Sequence, residues 1–426
     1  MQNNDRKPEI RFSGFEAGWK KKCFGDEFDI LSNNTLSRDF LNYDQGIAKN
    51  VHYGDVLIKF NEYLDASKEV LPYIEDEKVI DKFKNSFLRD GDIVIADTAE
   101  DETVGKCTEI GKISDLPIIA GLHTMPCRPK AKYAPMYLGY YLNANAYHRE
   151  LLPLMQGVKV TSISRSGVKD TDIIVSEEYD EQEKIGQFLY NLDEKIKFEQ
   201  DKLGRLIILK KSMLEKMFPQ GNSKVPEIRF GKYTDEWEQR NVTDVGKIFI
   251  GLVTTMTKHY TNEGYILIRN SDIKDGRFEF RNSPIYLDKD FAEENSSRMH
   301  QVGDVITVHT GDVGTSAVIE ENEMNSIGFA TIVTRPYKDI IDSNYLSTFL
   351  NTDTHKKWAV AISTGDGRTN YNLGDYIELM VPVPELEEQK KVANFISKLN
   401  NLITLHQRKV DKLKNIKSSC MDKMFV

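Results

Sequence analysis

The sequence predicts an α+β fold with two strand-rich globular domains in tandem, each followed by a long helix. An internal repeat, short β-branched runs and two heptad segments carry this prediction. Pro-Glu-Ile-Arg-Phe occurs at 8–12 and again at 226–230, an offset of 218 residues (226 − 8). Glu-Gln begins a helical segment at 181 and again at 388, an offset of 207 (388 − 181). The chain is therefore two copies of one plan, and we expect two similar sites.

Short runs of β-branched residues entered through Gly-Asp predict the strands. They are Asp55–Ile58, Gly91–Ala96 and, in the second copy, Gly303–Val308. Each copy also has the pattern of a short helix, at Met136–Arg149 and at Asn344–Trp358. The first copy is the longer one because extra residues fall in its loops, where related domains commonly differ.

Heptad patterns predict that the two long helices pair as a coiled coil. Seven of nine seam positions in each copy are apolar or cysteine, and the polar exceptions fall at matched steps, Glu199 with His406 and Lys210 with Lys417. The first seam consists of Leu189, Leu192, Ile196, Glu199, Leu203, Leu206, Lys210, Met213 and Met217; the second consists of Ile396, Leu399, Ile403, His406, Val410, Leu413, Lys417, Cys420 and Met424. The alternative is that each helix only covers its own globular domain.

Connectivity favours an antiparallel pair with pseudo-two-fold symmetry. In a parallel pair the second globular domain would have to span a helix of about 36 residues, roughly 54 Å at 1.5 Å per residue. This length is about one and a half turns of B-DNA at about 34 Å per turn. Duplex DNA also presents two similar faces, so it is a natural ligand for two heads held apart. The predicted boundaries are 8–175 and 225–381 for the globular domains, and 181–218 and 388–425 for the helices.

Composition limits the class of protein. The chain has 426 residues, 40% hydrophobic and 29% charged, with no stretch near the roughly 20 apolar residues of a membrane span. Together with a polar N-terminus, this predicts a cytoplasmic protein. The formal net charge of −9 argues against DNA binding by general electrostatics alone, because phosphate neutralisation needs clustered Lys and Arg. A few loops, or partner subunits, would have to make the contacts.

Motifs of catalysis and metal binding are absent from the sequence. There is no Gly-x4-Gly-Lys-Ser/Thr run, no Gly-x-Ser-x-Gly elbow and no His-Glu-x-x-His pair. The four cysteines and eight histidines show no metal-ligand spacing. We therefore expect no catalytic residue, no metal and no cofactor in this chain.

Taken together, these motifs resemble the specificity (S) subunit of a Type I restriction-modification system. The resemblance covers nearly the whole chain and is most specific in the helical segments, which run from Glu-Gln to Lys-Met-Phe at 181–218 and 388–425. His52–Asp55 with Gly121–His123, and Gly264–Ile273 with Gly303-Asp304, are similar to two classes of that family's target recognition domain. The first copy has Ser-Glu-Glu at 176–178 where the second has the family's Pro-Val-Pro at 382–384.

The resemblance implies a function and partners. Each globular domain would be a target recognition domain reading one half of a bipartite, asymmetric site in double-stranded DNA. DNA adenine methyltransferase (M) subunits, which use S-adenosylmethionine, would flank the helices, and ATP-driven restriction and motor (R) subunits would join them. The chain itself would be non-catalytic.

Candidate DNA-binding residues lie on loops, where forked donors and acceptors can enter a groove. The loop before each long helix has this content, and each copy adds further polar positions. In the first copy the candidates are Tyr53, Lys59, Lys159, Thr161, Ser162 and Arg165; in the second they are Arg269, Asn270, Arg368, Thr369, Asn370 and Tyr371.

Two other classes of function are compatible with parts of the sequence. A two-headed protein-binding adaptor built on a coiled-coil scaffold suits the acidic composition, and the salt dependence of DNA binding would discriminate it. An independent nuclease or methyltransferase is disfavoured by the missing motifs.

Overall fold

The structure is a computed structural model that describes residues 6–113, 116–157, 159–281, 283–363 and 370–426. Contacts divide the chain into two compact units. Unit 1 is Met1–Glu199 with Lys409–Val426, and unit 2 is Gln200–Arg408. Each unit therefore combines one globular part with segments of both long helices.

Unit 1 contains twelve strands among its described residues, and seven helices lie in it or begin in it. The strands are β1 Lys20–Cys23, β2 Phe28–Ile30, β3 Ala48–Val51, β4 Tyr63–Asp65, β5 Tyr73–Ile74, β6 Ile93–Ala96, β7 Thr98–Ala99, β8 Cys107–Gly111, β9 Ile118–Ala120, β10 Thr124–Pro129, β11 Thr161–Ser162 and β12 Asp172–Val175. The helices are α1 Phe24–Glu27, α2 Tyr53–Ile58, α3 Glu77–Phe83, α4 Tyr137–Asn143, α5 Asn145–Leu151, α6 Arg165–Lys169 and α7 Tyr179–Lys216, the last of which continues into unit 2.

The main sheet of unit 1 has the order β2-β10-β6-β8-β4, antiparallel except for the β4–β8 pair. A smaller sheet, β5-β3-β9, lies in the same unit. The largest core cluster includes Trp19, Tyr137 and Leu189, together with Met424 and Phe425 from the end of the chain. The closing residues of the second helical segment are thus part of the core of unit 1.

Unit 2 repeats this mixture of short strands and helices. Its strands are β13 Glu238–Asn241, β14 Gly246–Ile250, β15 Tyr260–Thr261, β16 Tyr265–Arg269, β17 Ile273–Lys274, β18 Arg277–Phe278, β19 Ile285–Leu287, β20 Val305–Thr307, β21 Ser316–Val318, β22 Ile327–Phe329, β23 Ile332–Pro336 and β24 Met380–Val383. Its helices are α8 Val242–Val245, α9 Lys289–Glu294, α10 Ser343–Leu350, α11 Asp353–Ile362, α12 Leu373–Tyr376 and α13 Leu386–Met424, the last of which continues into unit 1.

Two four-stranded sheets organise unit 2, β14-β23-β20-β21 and β15-β19-β16-β22. Its main core cluster contains Trp237 and Tyr345, with Met217 and Phe218 from the end of the first helical segment and Ile396 from α13. Phe218 contacts the Trp237 ring at 6.1 Å, as Phe425 contacts Trp19 at 6.2 Å in unit 1. The Lys-Met-Phe ending of each helical segment is therefore a packing motif.

The two long helices confirm the heptad prediction. All nine seam positions of each helix are buried or partly buried. In unit 1, Lys417 binds Asp193 at 2.7 Å and Lys409 binds Glu199. A later residue of α7, Glu199, therefore pairs with an earlier residue of α13, Lys409, so the helices are antiparallel within this unit.

The repeated opening motif is explained by a buried salt bridge at each helix start. In unit 1, Arg11 donates to Glu181 at 2.5 and 2.9 Å, and the Trp19 indole donates to the same carboxylate at 3.1 Å. In unit 2, Arg229 donates to Glu388 at 2.7 and 2.9 Å, and the Trp237 indole does so at 3.2 Å. The arginine, tryptophan and glutamate of the repeat therefore act together.

Two local predictions were wrong. Asp55–Ile58 belongs to helix α2, because the His52 ring accepts a hydrogen bond from the Gly54 N–H and caps that helix. A short apolar run does not distinguish a strand from a buried helical turn. The expected single helix at 136–149 is two helices separated at Ala144, whose backbone is extended, and its counterpart is also divided, at Thr352.

None of the helices formed by the described residues combines the length and apolar character that a bilayer crossing would need.

Candidate nucleic-acid interface

Each unit has a threonine just beyond a central strand, and this threonine pairs with the polar segment that the sequence predicted as the loop before the long helix. In unit 1, Thr98 follows β6 and pairs antiparallel with Ser162. In unit 2, Thr310 follows the last residue of β20 by three residues (310 − 307) and pairs antiparallel with Asn370. The offsets, 212 (310 − 98) and 208 (370 − 162), lie between the 218 residues at the start of the repeat and the 207 residues at its helices. We call this arrangement the strand-exit frame.

A pair made by a buried aspartate and a partly buried arginine supports the strand of each frame. Arg128 donates to Asp92 at 2.9 and 2.7 Å in unit 1, and Arg335 donates to Asp304 at 2.8 and 2.7 Å in unit 2. The hydrogen bonds and negative charge of Asp304 raise the pKa of Arg335, so its charge is stably held. Bidentate pairs of this kind fix geometry as well as charge. The same kind of bidentate pair therefore holds the central strand of both frames.

In unit 1 the frame carries a polar group around His123. Thr98 donates to Asp97 at 2.9 Å, and its hydroxyl lies 3.3 Å from His123 Nδ1. The Tyr53 ring meets the His123 ring edge-on at 5.3 Å. Thr161 and Ser162 pair with Ala99 and Thr98 of β7. The structure thus brings three predicted residues, Tyr53, Thr161 and Ser162, to one edge of the fold.

Arg165 lies close to this edge at the start of α6. Its guanidinium donates to the Leu31 carbonyl at 3.2 Å and to Asn33 Oδ1. Asn33 in turn donates to the Gly121 carbonyl at 2.9 Å, two residues before His123. Arg165 is exposed, so its remaining N–H groups face solvent.

The remaining two predicted residues of unit 1 are lysines, and among the described residues no contact joins them to the polar group around His123. Lys59 is exposed, donates to the Val70 carbonyl at 2.5 Å and lies 5.2 Å from the Phe60 ring. Lys159 is also exposed. Both remain predictions from sequence alone.

In unit 2 the frame carries a chain of three polar side chains. His309 Nδ1 lies 2.7 Å from the Thr310 hydroxyl, and Thr310 donates to Asn370 Oδ1 at 2.9 Å. Asn270 accepts from the His309 backbone N–H at 2.8 Å and donates to the Ala330 carbonyl at 3.2 Å. The structure therefore brings Asn270 and Asn370, 100 residues apart (370 − 270), to one place.

Other predictions for unit 2 have different outcomes. Arg269 directs its guanidinium fork at Asp272, with contacts of 2.9 and 2.8 Å. Tyr371 is fully buried and packs against His355, Trp358 and Tyr376. A buried ring offers nothing to a groove, so Tyr371 is a core residue here. Arg368 and Thr369 lie outside the described residues.

Sequence reasoning missed His309, Thr310, Asp97 and Thr98 as site residues. Aligning the two copies at an offset of 212 places Asp97 over His309 and Thr98 over Thr310. Polar residues directly after an apolar strand at matched repeat positions were the available signal. Within the described residues, no group of three or more His, Cys, Asp or Glu is arranged to hold a metal ion.

A family model described as the Type I restriction modification DNA specificity domain matches residues 234–415. The chain therefore carries a type I restriction-modification DNA specificity domain. The His309–Thr310–Asn370 chain lies within this specificity domain, and the resemblance inferred from the sequence is confirmed.

Curated proteins that are similar to this chain have related names. One, from Methanocaldococcus jannaschii, is named provisionally as the specificity subunit of type I restriction enzyme MjaX and is 25% identical over 220 residues, 50% of each chain. The EcoBI specificity subunit of Escherichia coli is 24% identical over 167 residues, 38% of this chain and 35% of that one. The match spans about half the length of the first curated relatives.

Solved structures show the same fold along the whole chain. The type I restriction-modification S subunit from M. genitalium has a TM-score of 0.62 at 13% identity and covers 99% of both chains. A chain from a structure of the type I R-M system, described as showing complex assembly and conformational transition, has a TM-score of 0.53 at 15% identity and covers 96% of this chain and 97% of that one. At these identities the likeness concerns the fold alone.

Proposed function

We propose that this chain is the non-catalytic DNA sequence-recognition subunit of a Type I restriction-modification complex that acts in the cytoplasm. It binds a bipartite, asymmetric DNA site and scaffolds methyltransferase subunits and motor-nuclease subunits. The target recognition domains are 8–175 and 225–381, and 181–218 and 388–425 are the spacer helices.

The observation that carries the proposal is one frame with two different sets of side chains. The strand-exit frame presents Asp97 and Ser162 in unit 1 and His309 and Asn370 in unit 2, while the arginine–aspartate support is the same in both. A conserved frame with changed polar groups is what two readers of different short sequences need, because donors and acceptors distinguish base edges. Two different readers make the site asymmetric.

The net charge of −9 fits a subunit that works within a complex. Arg165 and Lys159 supply exposed positive charge near the first frame, but non-specific affinity for a duplex depends on many phosphate contacts. Partner subunits would provide most of these contacts. The chain would supply base recognition.

The long helices of unit 2 carry a surface suited to a partner protein. Ile207, Ile208, Leu209, Leu402 and Leu405 are exposed although they belong to α7 and α13. Exposed apolar residues grouped on helices mark protein interaction sites more often than isolated ones do. We assign this surface to the methyltransferase subunits. The similar chain from the structure that concerns complex assembly of the type I R-M system is consistent with such a role.

The function is tested by selecting bound sequences from a random duplex library with the chain assembled on its methyltransferase subunits. The expected result is two different short sequences separated by a fixed number of unselected base pairs, with binding that weakens steeply as salt rises. A complex that forms normally but selects no sequence, with binding insensitive to salt, would contradict the proposal and favour the protein-binding adaptor.

A further inference from the structure

The hydrogen-bond directions in unit 2 define what its frame can read. Thr310 has a single hydroxyl hydrogen, and it is donated to Asn370 Oδ1 at 2.9 Å. The same oxygen lies 2.7 Å from His309 Nδ1, so it must accept a hydrogen bond from that nitrogen. His309 therefore carries its proton on Nδ1, and its Nε2 is left as an acceptor. Burial lowers the pKa of His309, which keeps the ring neutral near pH 7.

Asn370 is left with the opposite character. Its oxygen is used by Thr310, so the side chain offers its Nδ2 hydrogens as donors. Asn370 is partly exposed, as are His309 and Thr310. One donor and one acceptor, from side chains joined through a single hydroxyl, are thus available at the edge of the unit.

Adenine matches this pair in the major groove. It presents N7 as an acceptor and the N6 amino group as a donor, whereas guanine presents two acceptors, N7 and O6. We propose that His309, Thr310 and Asn370 form an adenine reader in unit 2, with Asn370 donating to N7 and His309 accepting from N6. This rests on the proposed function. Guanine would place O6 against the His309 acceptor and is rejected by that unpaired contact.

Neighbouring residues hold the reader in place. The Tyr371 backbone N–H donates to the His309 carbonyl at 2.8 Å, and its buried ring anchors the residue next to Asn370. Asn270 uses its oxygen on the His309 N–H and its amide on the Ala330 carbonyl. Asn270 and Tyr371 are therefore positioning residues.

The corresponding place in unit 1 has different chemistry. Asp97 stands where unit 2 has His309, and its carboxylate accepts from Thr98 at 2.9 Å. Ser162 stands where unit 2 has Asn370. An acceptor-rich group does not match the N7 acceptor of adenine, so we expect the unit 1 frame to read a different base.

The test uses the assembled complex and the duplex that it selects. Each adenine of the selected site is replaced in turn by 7-deazaadenine, which lacks the N7 acceptor, and then by guanine. At one adenine we expect binding to fall roughly 10- to 100-fold on either replacement. With Asn370→Asp, which keeps the oxygen that Thr310 uses but loses the donor, 7-deazaadenine should have no further effect at that adenine.

Two variants make the result specific. Thr310→Val breaks the chain with little change of shape and should weaken the discrimination between adenine and guanine at that position alone. Ser162→Ala, in unit 1, should leave it unchanged. If wild type selects no sequence, the proposed function fails. If wild type selects a bipartite site but no adenine is sensitive to loss of N7, or if Asn370→Asp keeps that sensitivity, the adenine reader is wrong and the function stands.

Discussion

Lys417→Met should destabilise unit 1 strongly, because this lysine neutralises two buried carboxylates. Its ammonium lies 2.7 Å from Glu62 and 2.7 Å from Asp193, and the three side chains are 15%, 15% and 10% exposed. Tyr140 donates to Asp193 at 2.6 Å and holds that carboxylate in place. Methionine fills a similar volume, so the charge is what changes. Removing one partner of a buried ion pair costs about 3–5 kcal/mol.

The destabilisation should depend on pH in a defined direction. Burial and the neighbouring Glu62 raise the pKa of Asp193, so this carboxyl binds a proton more readily in the folded chain than in the unfolded chain. A group of this kind contributes stability at low pH, which is lost as pH rises through its folded pKa. Without Lys417 this loss becomes larger. The deficit of Lys417→Met should therefore be greatest near pH 8 and smaller near pH 5.

Urea denaturation followed by far-ultraviolet circular dichroism at both pH values measures the effect. Lys412→Met is the matched control, since Lys412 is an exposed lysine on the same helix and its loss should change the free energy of unfolding by less than about 0.5 kcal/mol. The reasoning would be refuted by a Lys417→Met protein within about 1 kcal/mol of wild type at pH 8. A deficit equal at both pH values would refute it too.

Three further predictions concern the helices, a buried acid and the first reader. Leu203→Asp places a charge at a buried seam position, so it should lower the urea midpoint of unfolding and prevent complex assembly. Ile208→Asp, at a side chain that is 69% exposed, should keep the midpoint and weaken only the capture of methyltransferase subunits. Normal assembly by Leu203→Asp would contradict the coiled coil. Burial raises the pKa of Glu109 to about 7. The wild-type protein should therefore lose up to about 3 kcal/mol of stability between pH 4.5 and 8, and the Glu109→Gln variant should not show this loss. Identical pH profiles of the two proteins in urea titrations would exclude this. Arg165→Ala should weaken duplex binding by about 1–3 kcal/mol and alter only one of the two selected sequences, as read by repeating the selection, and changes in both would count against its place in unit 1.

The long helices were predictable because their signal is local and repeated. The expected starts and ends, 181–218 and 388–425, differ from Tyr179–Lys216 and Leu386–Met424 by one or two residues. The contacts that give the motifs their meaning were not predictable. Arg11 binds Glu181 across 170 residues of sequence, and no local pattern shows such a pairing. The sequence showed that the motifs recur, and only the structure explains why they recur together.

Some residues of the candidate site were also predictable from the sequence, and others were not. Ser162 and Asn370 were predicted because both lie in the polar segment that the sequence places before a long helix, and Asn270 was predicted as a further polar position. Thr310 was missed because its partner Asn370 lies 60 residues further along the chain, and His309 was missed because it reaches Asn370 only through Thr310. Tyr371 was predicted as a DNA-binding residue because it lies beside a polar loop. The sequence pattern is the same whether such an aromatic residue faces solvent or, as here, packs against the His355 ring.

The central claim is that two copies of one fold read two separate short sequences. Mapping adenine methylation across the DNA of cells that carry the methyltransferase subunits, with and without this chain, tests that claim most directly. The account predicts that methylation appears only with the chain, at an asymmetric site of two short sequences separated by a fixed gap. Methylation that is the same without the chain, or that marks one continuous sequence, would contradict it.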